Sequence, residues 1–565
     1  MFIGAIGSIP KMLFARVFTK ASPIARLSNV RRSYRVSSAA LSRGETNDPK
    51  NRKLRGVGGR QTEFSVDRSG LMSGPDTAQQ PLQQTLEESK QALFRVEQGL
   101  SATPEDAGAR GELDWGVDDA RPNEPIPANK EQMSELAKDL QAYIGMRGPI
   151  SLHDYMLQAS NHLIHGYYQT EAEKIGSKGD FITAPEMSQL FGEMIGMWCI
   201  SHWMALGRPA TIDLLELGPG KGTLMRDILQ VAAKFPDFHS AIRVHFVELS
   251  DEMRDLQQTA LGCKTGGDVE ESDAAAATAT AAKENDDEAA AGDAKEKVVP
   301  TMEEVLGVKS MTSSGGVPVK WYYSLAQVPE ETGVASLTIA QEFLDAFPVH
   351  QFEYRQGLWR ERLVDICRDE SSDEHFKLVL SPSETPAVKA LLKGAADMGA
   401  STHQDGEGIE VAPLALATCE NIANRLCKNG GAALLVDYGE NFTPSDTLRG
   451  FKQHKQVSAL SKPGETDITA DVDFAACARA AAKRGAVAVG AIPQGEFLVR
   501  MGIVDRVQAL ISQPHVTDEK AYQILASLRQ LIDGNDMGSR FKVLALYDPR
   551  VSQINTIGFP DVLKD

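Results

Sequence analysis

The sequence predicts an α/β protein: a mostly parallel, Rossmann-like sheet with a helical part before it and a β-rich insertion within it. Three observations carry that expectation. A run of buried-strand character, Thr211–Leu217, passes through Gly218-Pro219-Gly220-Lys221-Gly222-Thr223 straight into a helix-like stretch, Leu224–Ala233. Strand-like and helix-like segments then alternate, with Ile242–Val247, Asp251–Leu261, Val319–Tyr323, Ser336–Ala340, Ala432–Val436 and Phe541–Tyr547 in order. Such alternation favours parallel strands joined by right-handed crossovers. Composition agrees: 565 residues, 42% hydrophobic and 24% charged, is globular and neither coiled-coil nor collagen-like.

The chain opens on a different composition. Between Met1 and Gly44 there is no Asp or Glu, while Lys11, Arg16, Lys20, Arg26, Arg31, Arg32, Arg35 and Arg43 interleave with serines and apolar residues such as Phe2, Ile6, Leu13, Phe14 and Phe18. An Arg-rich, Ser-rich, acid-free start is the composition of a mitochondrial transit peptide, an amphipathic cation drawn to an anionic membrane surface. A secretory signal would put its charge before an unbroken apolar core, and here the charge comes after Met1–Pro10. Arg32-Ser33-Tyr34 fits an Arg-x-Tyr cleavage pattern, so residues 1–34 are expected to be removed in the matrix. Residues 35–129 are rich in Gly, Gln, Ser, Pro and charge. They hold too little apolar surface to offset ordering entropy and read as a disordered linker. No stretch reaches the ~20 apolar residues that cross a bilayer.

Region 130–210 is expected to be helical. Apolar spacing at Met133, Leu136, Leu140 and Ile144 stops at Gly145–Gly148, and Ser151 reads as the N-cap of a second helix. Met187–Trp203 is a third helix whose Phe191, Met194, Ile195 and Trp198 form a core face. Residues 211–548 then carry the sheet and two insertions. Within 264–298, the stretch Glu271–Lys297 has eleven alanines, eight acids and three lysines but no Val, Leu, Ile or aromatic residue, and reads as a solvated, disordered loop. Residues 349–410 alternate apolar and polar positions: Phe352 and Tyr354, then Leu358 and Trp359 beyond a Gln356-Gly357 turn. Together with Phe376–Leu380 and a helix-like stretch near Ala387–Ala396, they suggest a β-hairpin inside an accessory lid.

Charge and cysteines narrow the function. Fifty-nine Lys and Arg against 77 Asp and Glu give −18, and loss of residues 1–34 removes six cations and no acid, leaving −24. A surface this acidic repels phosphate backbones, which argues against a general nucleic-acid binder and suits a basic protein substrate. Cys199, Cys263, Cys367, Cys419, Cys427 and Cys477 form no CxxC or Cys/His cluster. No metal and no disulfide framework is expected, and the pattern fits a reducing compartment.

The glycine loop selects among nucleotide-type ligands. A P-loop needs GxxxxGK[ST], but Lys221 is followed by Gly222 and Leu215 stands at the earlier glycine position. A dinucleotide loop wants Gly or Ala where Thr223 stands. The form Glu216-x-Gly218-x-Gly220-x-Gly222 resembles instead the first motif of class I S-adenosylmethionine-dependent methyltransferases. In those enzymes the glycines pass beside the methionine part, and an acid ending the second strand binds the ribose hydroxyls. Glu248 occupies that second position, and a carboxylate accepts two hydroxyl hydrogen bonds at once. The expected cofactor is S-adenosylmethionine, with Glu216, Gly218, Gly220, Gly222 and Glu248 around it.

A broader resemblance extends from about Ile150 to Asp548. Gly179-Asp180-Phe181-Ile182-Thr183-Ala184-Pro185-Glu186, Glu216–Leu224, Gln341-Glu342-Phe343-Leu344-Asp345-Ala346-Phe347-Pro348-Val349-His350, Gly430–Gly439 and Asp467–Phe474 occur in the order found in the MidA family. These are the mitochondrial complex I assembly-factor protein arginine methyltransferases. Lys221 stands where the family usually has Arg, and Gln341 where Asn or His is common. The resemblance implies dimethylation of an arginine on the iron–sulfur protein 2 subunit of NADH dehydrogenase, in the matrix, during complex I assembly. By the same analogy Asp180 and Thr183 belong to a loop over the cofactor. A non-catalytic assembly chaperone that binds the cofactor or the partner subunit stays open as the alternative.

For an arginine acceptor, carboxylates would hold the guanidinium in bidentate pairs. The segment after Ser336–Ala340 lies at the carboxyl end of the sheet, where open α/β folds bind ligands, so Glu342 and Asp345 are the candidate catalytic residues. Their other reading is a pair of acids at a helix N-terminus. Asp437 ends a strand at the same edge, and His350, His454 and Asp467 lie in the matching segments as residues that could order the lid. A DPPY or NPPY motif and a Pro-Cys nucleophile are both absent from the sequence, which argues against a nucleic-acid methyltransferase.

Overall fold

The computed structural model describes residues 133–170, 182–263, 307–369, 372–392, 403–442, 445–550 and 556–560. The expected transit peptide (1–34), linker (35–129) and acidic insert (264–298), and Asp180, lie outside the described residues.

Ser134 and Ser151 cap the first two helices, α1 (Glu135–Arg147) and α2 (Leu152–Asn161), their hydroxyls accepting the Ala137 and Asp154 amides. Between them a two-residue strand, β1 (Ile150–Ser151), pairs with the later insertion. Then come a single turn, α3 (Ala184–Met187), and α4 (Gln189–Ala205), which buries Phe191, Met194, Ile195, Trp198 and Trp203. A helix apolar around most of its surface is covered on most sides, and α4 is.

The sheet begins with β2 (Ile212–Leu217), a central strand covered on both faces and buried along its whole length, Asp213 and Glu216 included. After it come α5 (Thr223–Ala232), β3 (Ile242–Val247), α6 (Asp251–Leu261), β4 (Lys309–Thr312), β5 (Pro318–Tyr322) and β6 (Ser336–Gln341). The insertion supplies β7 (His350–Arg355), β8 (Leu358–Ile366), β9 (Phe376–Leu380) and β10 (Gly408–Val411). Then come α7 (Pro413–Asn429) and β11 (Gly431–Glu440), and the short strands β12 (Arg449–Lys452), β13 (Lys455–Val457), β14 (Asp467–Thr469) and β15 (Val472–Asp473). After them α8 (Phe474–Lys483), β16 (Val487–Pro493), α9 (Gln494–Arg500), α10 (Ile503–Ile511), α11 (Asp518–Ile532) and β17 (Phe541–Tyr547) complete the fold.

The main sheet runs β16-β17-β11-β6-β2-β3-β5-β4. Strands β5, β3, β2, β6 and β11 are mutually parallel, β17 lies antiparallel between β11 and β16, and β4 is an antiparallel edge. From β2 the chain moves outward through β3 to β5, then returns to place β6 on the other side of β2. The order therefore reverses between β2 and β6, and the crevice at such a reversal, beyond the carboxyl ends of the strands, is where open α/β sheets hold ligands.

Two cores clothe this sheet. Ile212, Leu214, Phe246, Trp321, Leu337, Ile339 and Leu434 meet α4, α5 and α9–α11 on one face, while Leu217, Ala340, Leu435, Leu544 and Leu546 meet α7 and α8 on the other. A further core joins α1 and α2 to the insertion and to β12–β14, through Leu136, Leu140, Tyr155, Val349, Val364, Phe376, Leu460 and Ile468. Region 130–210 thus divides: α1 and α2 pack with the inserted strands, and α4 with the main sheet. The inserted hairpin turns at Gln356 (φ 54°) and Gly357 (φ 81°), the left-handed pair of a two-residue turn. The helix expected near Ala387–Ala396 runs Pro386–Leu391, with residues 393–402 outside the described set.

Candidate active site

Gly218, Gly220 and Gly222 all have positive φ, at 63°, 51° and 80°, where a side chain would be strained. Space matters as well as φ. A Cβ on Gly218 would lie 2.7 Å from the Phe343 ring, and one on Gly222 would lie 3.2 Å from Gln257 Cα. The loop is therefore held between the segment after β6 and helix α6. Gly218 N–H donates to the Val247 carbonyl at 3.0 Å, tying the loop to the end of β3.

Glu248, one residue past β3, has its carboxylate oriented: Oε1 accepts the Ser250 amide at 2.9 Å and Oε2 accepts Gln257 Nε2 at 3.1 Å. Burial pushes its carboxyl up, and those two donors pull it back. Each oxygen keeps a lone pair, enough for the two ribose hydroxyls of the expected cofactor. The glycine cradle and this acid fit S-adenosylmethionine. Gln257 carries no motif of its own, and sequence reading missed it. Glu216 is placed differently: its side chain shares the face of Leu214, toward α4 and the Cys199 thiol. There its Oε2 is buried without a partner, and burial holds the carboxyl well above the usual range.

The segment after β6 is an irregular loop and not a helix start, so the helix-terminus reading of Glu342 and Asp345 does not apply. Glu342 has a left-handed backbone (φ 49°), and its amide donates to the Val436 carbonyl of β11. Its Oε1 accepts both the Ala184 amide at 3.0 Å and Gln341 Nε2 at 2.7 Å. Asp437, fully buried in β11, anchors the next three residues of the loop: its Oδ2 accepts the amides of Phe343, Leu344 and Asp345 at 3.1, 2.8 and 3.3 Å. Burial, helped by the Asp345 charge, raises the Glu342 carboxyl to about 8. Asp345 is raised by burial to about 6, with Tyr438 and the Arg449 guanidinium pulling the other way. The structure thus gathers Glu342, Asp345 and Asp437 beside the glycine loop, with Phe343 bridging the two.

Thr183 caps α3 without a side-chain hydrogen bond, and the Ala184 amide after it goes to Glu342. Glu186 of the same turn accepts the Thr223 hydroxyl at the start of α5. Asp467 in β14 accepts the Tyr168 hydroxyl at 3.1 Å. His350 has a packing place: it pairs with Glu361 at 2.7 Å and stacks on His153 of α2 at 4.6 Å. His454 lies in the turn between β12 and β13. Among the described residues no group of three or more His, Cys, Asp or Glu could hold a metal ion, and no helix is long and apolar enough to cross a membrane.

Residues 194–492 match the family model of the S-adenosyl-L-methionine-dependent methyltransferases. The mouse and human proteins named protein arginine methyltransferase NDUFAF7, mitochondrial, are each 35% identical to this chain, over 425 and 431 residues. Those alignments cover 74% and 75% of this chain and 86% and 85% of the relatives. A Burkholderia thailandensis protein crystallised with S-adenosyl-homocysteine bound superposes with a TM-score of 0.55 at 25% identity, over 73% of this chain and 91% of that one. With the family model spanning over half of the chain and relatives a third identical along three quarters of it, the chain belongs to the S-adenosyl-L-methionine-dependent methyltransferases of the MidA type, and S-adenosyl-L-methionine is its cofactor.

Proposed function

We propose that this enzyme is a protein arginine N-methyltransferase of the mitochondrial matrix that dimethylates an arginine of the iron–sulfur protein 2 subunit of complex I during assembly. The relatives' names supply the arginine acceptor and the mitochondrion, and the acid-free, Arg-rich start of the chain supports import. The observation that carries the acceptor class is the loop bearing Glu342 and Asp345 beside the glycine cradle, gripped through three amides by Asp437. No cation is among the groups that set the raised Glu342 carboxyl, and a guanidinium would supply that counter-charge and return it to the ionised form.

Bound S-adenosylmethionine supplies an electrophilic methyl on a sulfonium, and the protein's task is alignment and charge placement. Glu248 and the glycine cradle would hold the cofactor. Glu342 would receive the guanidinium on Oε2, since Oε1 is engaged by Ala184 and Gln341. A carboxylate there localises electron density on the reacting nitrogen and can take the proton that nitrogen sheds. Asp345 would complete the grip.

The test is incubation of the full chain with radiolabelled S-adenosylmethionine and recombinant iron–sulfur protein 2. Label on an arginine of that subunit, absent with Gly220→Val, supports the proposal. Cofactor binding with no label on that subunit would replace it with the assembly-chaperone reading or a different protein substrate.

A further inference from the structure

Helix α6 starts just beyond the carboxyl end of β3 and buries one row, Arg254, Gln257 and Leu261, of which Gln257 reaches the glycine loop and Leu261 packs in the main core. Gln257 is fully buried and both ends of its amide are partnered. Nε2 donates to the Gly220 carbonyl at 2.7 Å and to Glu248 Oε2 at 3.1 Å, while Oε1 accepts the Trp321 indole N–H at 2.9 Å. An indole nitrogen only donates, so the amide oxygen must face Trp321 and the NH2 must face Gly220 and Glu248. One side chain therefore spans three strands' worth of site: the loop after β2, the acid after β3 and the indole of β5.

We propose that Gln257 is a positioning residue of the S-adenosylmethionine site, locking the glycine loop to Glu248 and holding that carboxylate ionised and aimed for the ribose hydroxyls. This rests on reading Glu248 as the ribose-binding acid. The backbone supports it from a second direction. A Cβ on Gly222 would press on Gln257 Cα, Cβ and Cγ at 3.2, 3.4 and 3.4 Å, so the glycine loop packs directly against the stem of Gln257.

The surroundings of Glu248 make its N–H donors count. It is buried, which favours the protonated form, and the Ser250 amide, the Gln257 amide and the Arg254 charge oppose that. Arg254 serves the backbone, donating to the Glu248 carbonyl at 2.8 and 3.1 Å and stacking on Tyr323 at 3.6 Å. Asp251 faces Arg254 and the Tyr323 hydroxyl. From β5, the Tyr322 carbonyl takes the Glu248 amide, and from the glycine loop the Gly220 carbonyl meets Gln257. Gln257 is thus the neutral side-chain donor on the carboxylate itself.

The test is calorimetric binding of S-adenosylmethionine to the full chain between pH 5.5 and 8.5, for the wild type and for Gln257→Met, Gln257→Glu and Glu248→Gln. Loss of one hydrogen bond to a charged group predicts about ten- to a hundredfold weaker binding for Gln257→Met, with the acid limb of its affinity profile moved to higher pH. In Gln257→Glu a proton shared by the two carboxyls restores the donor, so binding should strengthen as pH falls, opposite to the wild type. That inversion would not arise from a packing role alone, and the isosteric variant serves if the methionine variant does not fold. Wild-type profiles in the folded Gln257 variants, with Glu248→Gln impaired, would overturn the role of Gln257. Unchanged affinity in Glu248→Gln would overturn the ribose-acid reading and this proposal with it.

Discussion

Glu342→Gln should yield a protein that is more stable in alkali and nearly inactive. The carboxyl is carried from its ordinary 4.5 to about 8 by burial and by Asp345. Between those values the folded state binds more protons than the unfolded one, so stability falls as pH rises through the window and the full cost is present above 8. At about 1.4 kcal/mol per tenfold, the ceiling is about 5 kcal/mol. Glu342 is only half-buried, so roughly 2 kcal/mol is the expected gain for the variant at pH 9. Glutamine keeps the local bonds, because the Ala184 amide and Gln341 both donate to one oxygen, Oε1. What it loses is the charge for the guanidinium, about 1.5–3 kcal/mol for such a bond, or ten- to a hundredfold in kcat/KM. Urea unfolding at pH 5 and pH 9, paired with label transfer to the subunit, tests both halves. A variant less stable than wild type at pH 9, or one that transfers label within twofold of it, would refute the reasoning.

Gly218→Ala must place a side chain at φ 63° with its Cβ 2.7 Å from Phe343. The backbone term alone costs about 1–2 kcal/mol, to be read by urea unfolding, and Phe343→Leu in the same chain should recover the part due to the clash. Asp437→Ala strands the three amides that Oδ2 accepts and the Tyr438 amide on Oδ1. Unpaired donors cost about 1–3 kcal/mol each, and relief of the buried charge beside Asp345 offsets part, so a loss of about 3 kcal/mol at pH 7 is expected. The pH profile of kcat/KM should rise from pH 6 to above 8 as Asp345 and then Glu342 ionise, and Glu342→Gln should lack the upper rise.

Much of the fold could be read directly. Ile242–Val247, Asp251–Leu261, Phe376–Leu380 and Phe541–Tyr547 have the expected bounds, because each shows its period within a few contiguous residues. Strand β16 did not announce itself: in Val487-Ala488-Val489-Gly490-Ala491-Ile492-Pro493 a glycine breaks the run and a proline ends it, and its pairing with β17 shifts register between Gly490 and Ile492. Helices α7 and α8 were equally silent, and so were β12–β14, which are only three or four residues long and pair with one another across Gln453-His454 and the loop before Asp467. Glu216 shows the limit of motif reading. Its position in the glycine signature is as expected, yet strand alternation turns its carboxyl toward Cys199 and α4.

The sequence alone determined the strand–glycine–helix unit, the acid at the end of the next strand and hence the cofactor, since backbone conformation at Gly218, Gly220 and Gly222 and the period of the flanking strands are properties of neighbouring residues. Only the tertiary structure decided how the site is assembled. Asp437 grips Phe343 from 94 positions away, and Gln257 reaches both Gly220, 37 positions earlier, and Trp321, 64 positions later. Those meetings depend on the strand order, which sets β6 between β2 and β11 and β3 between β2 and β5. A buried polar side chain finds its partner across strands, where no local pattern records it.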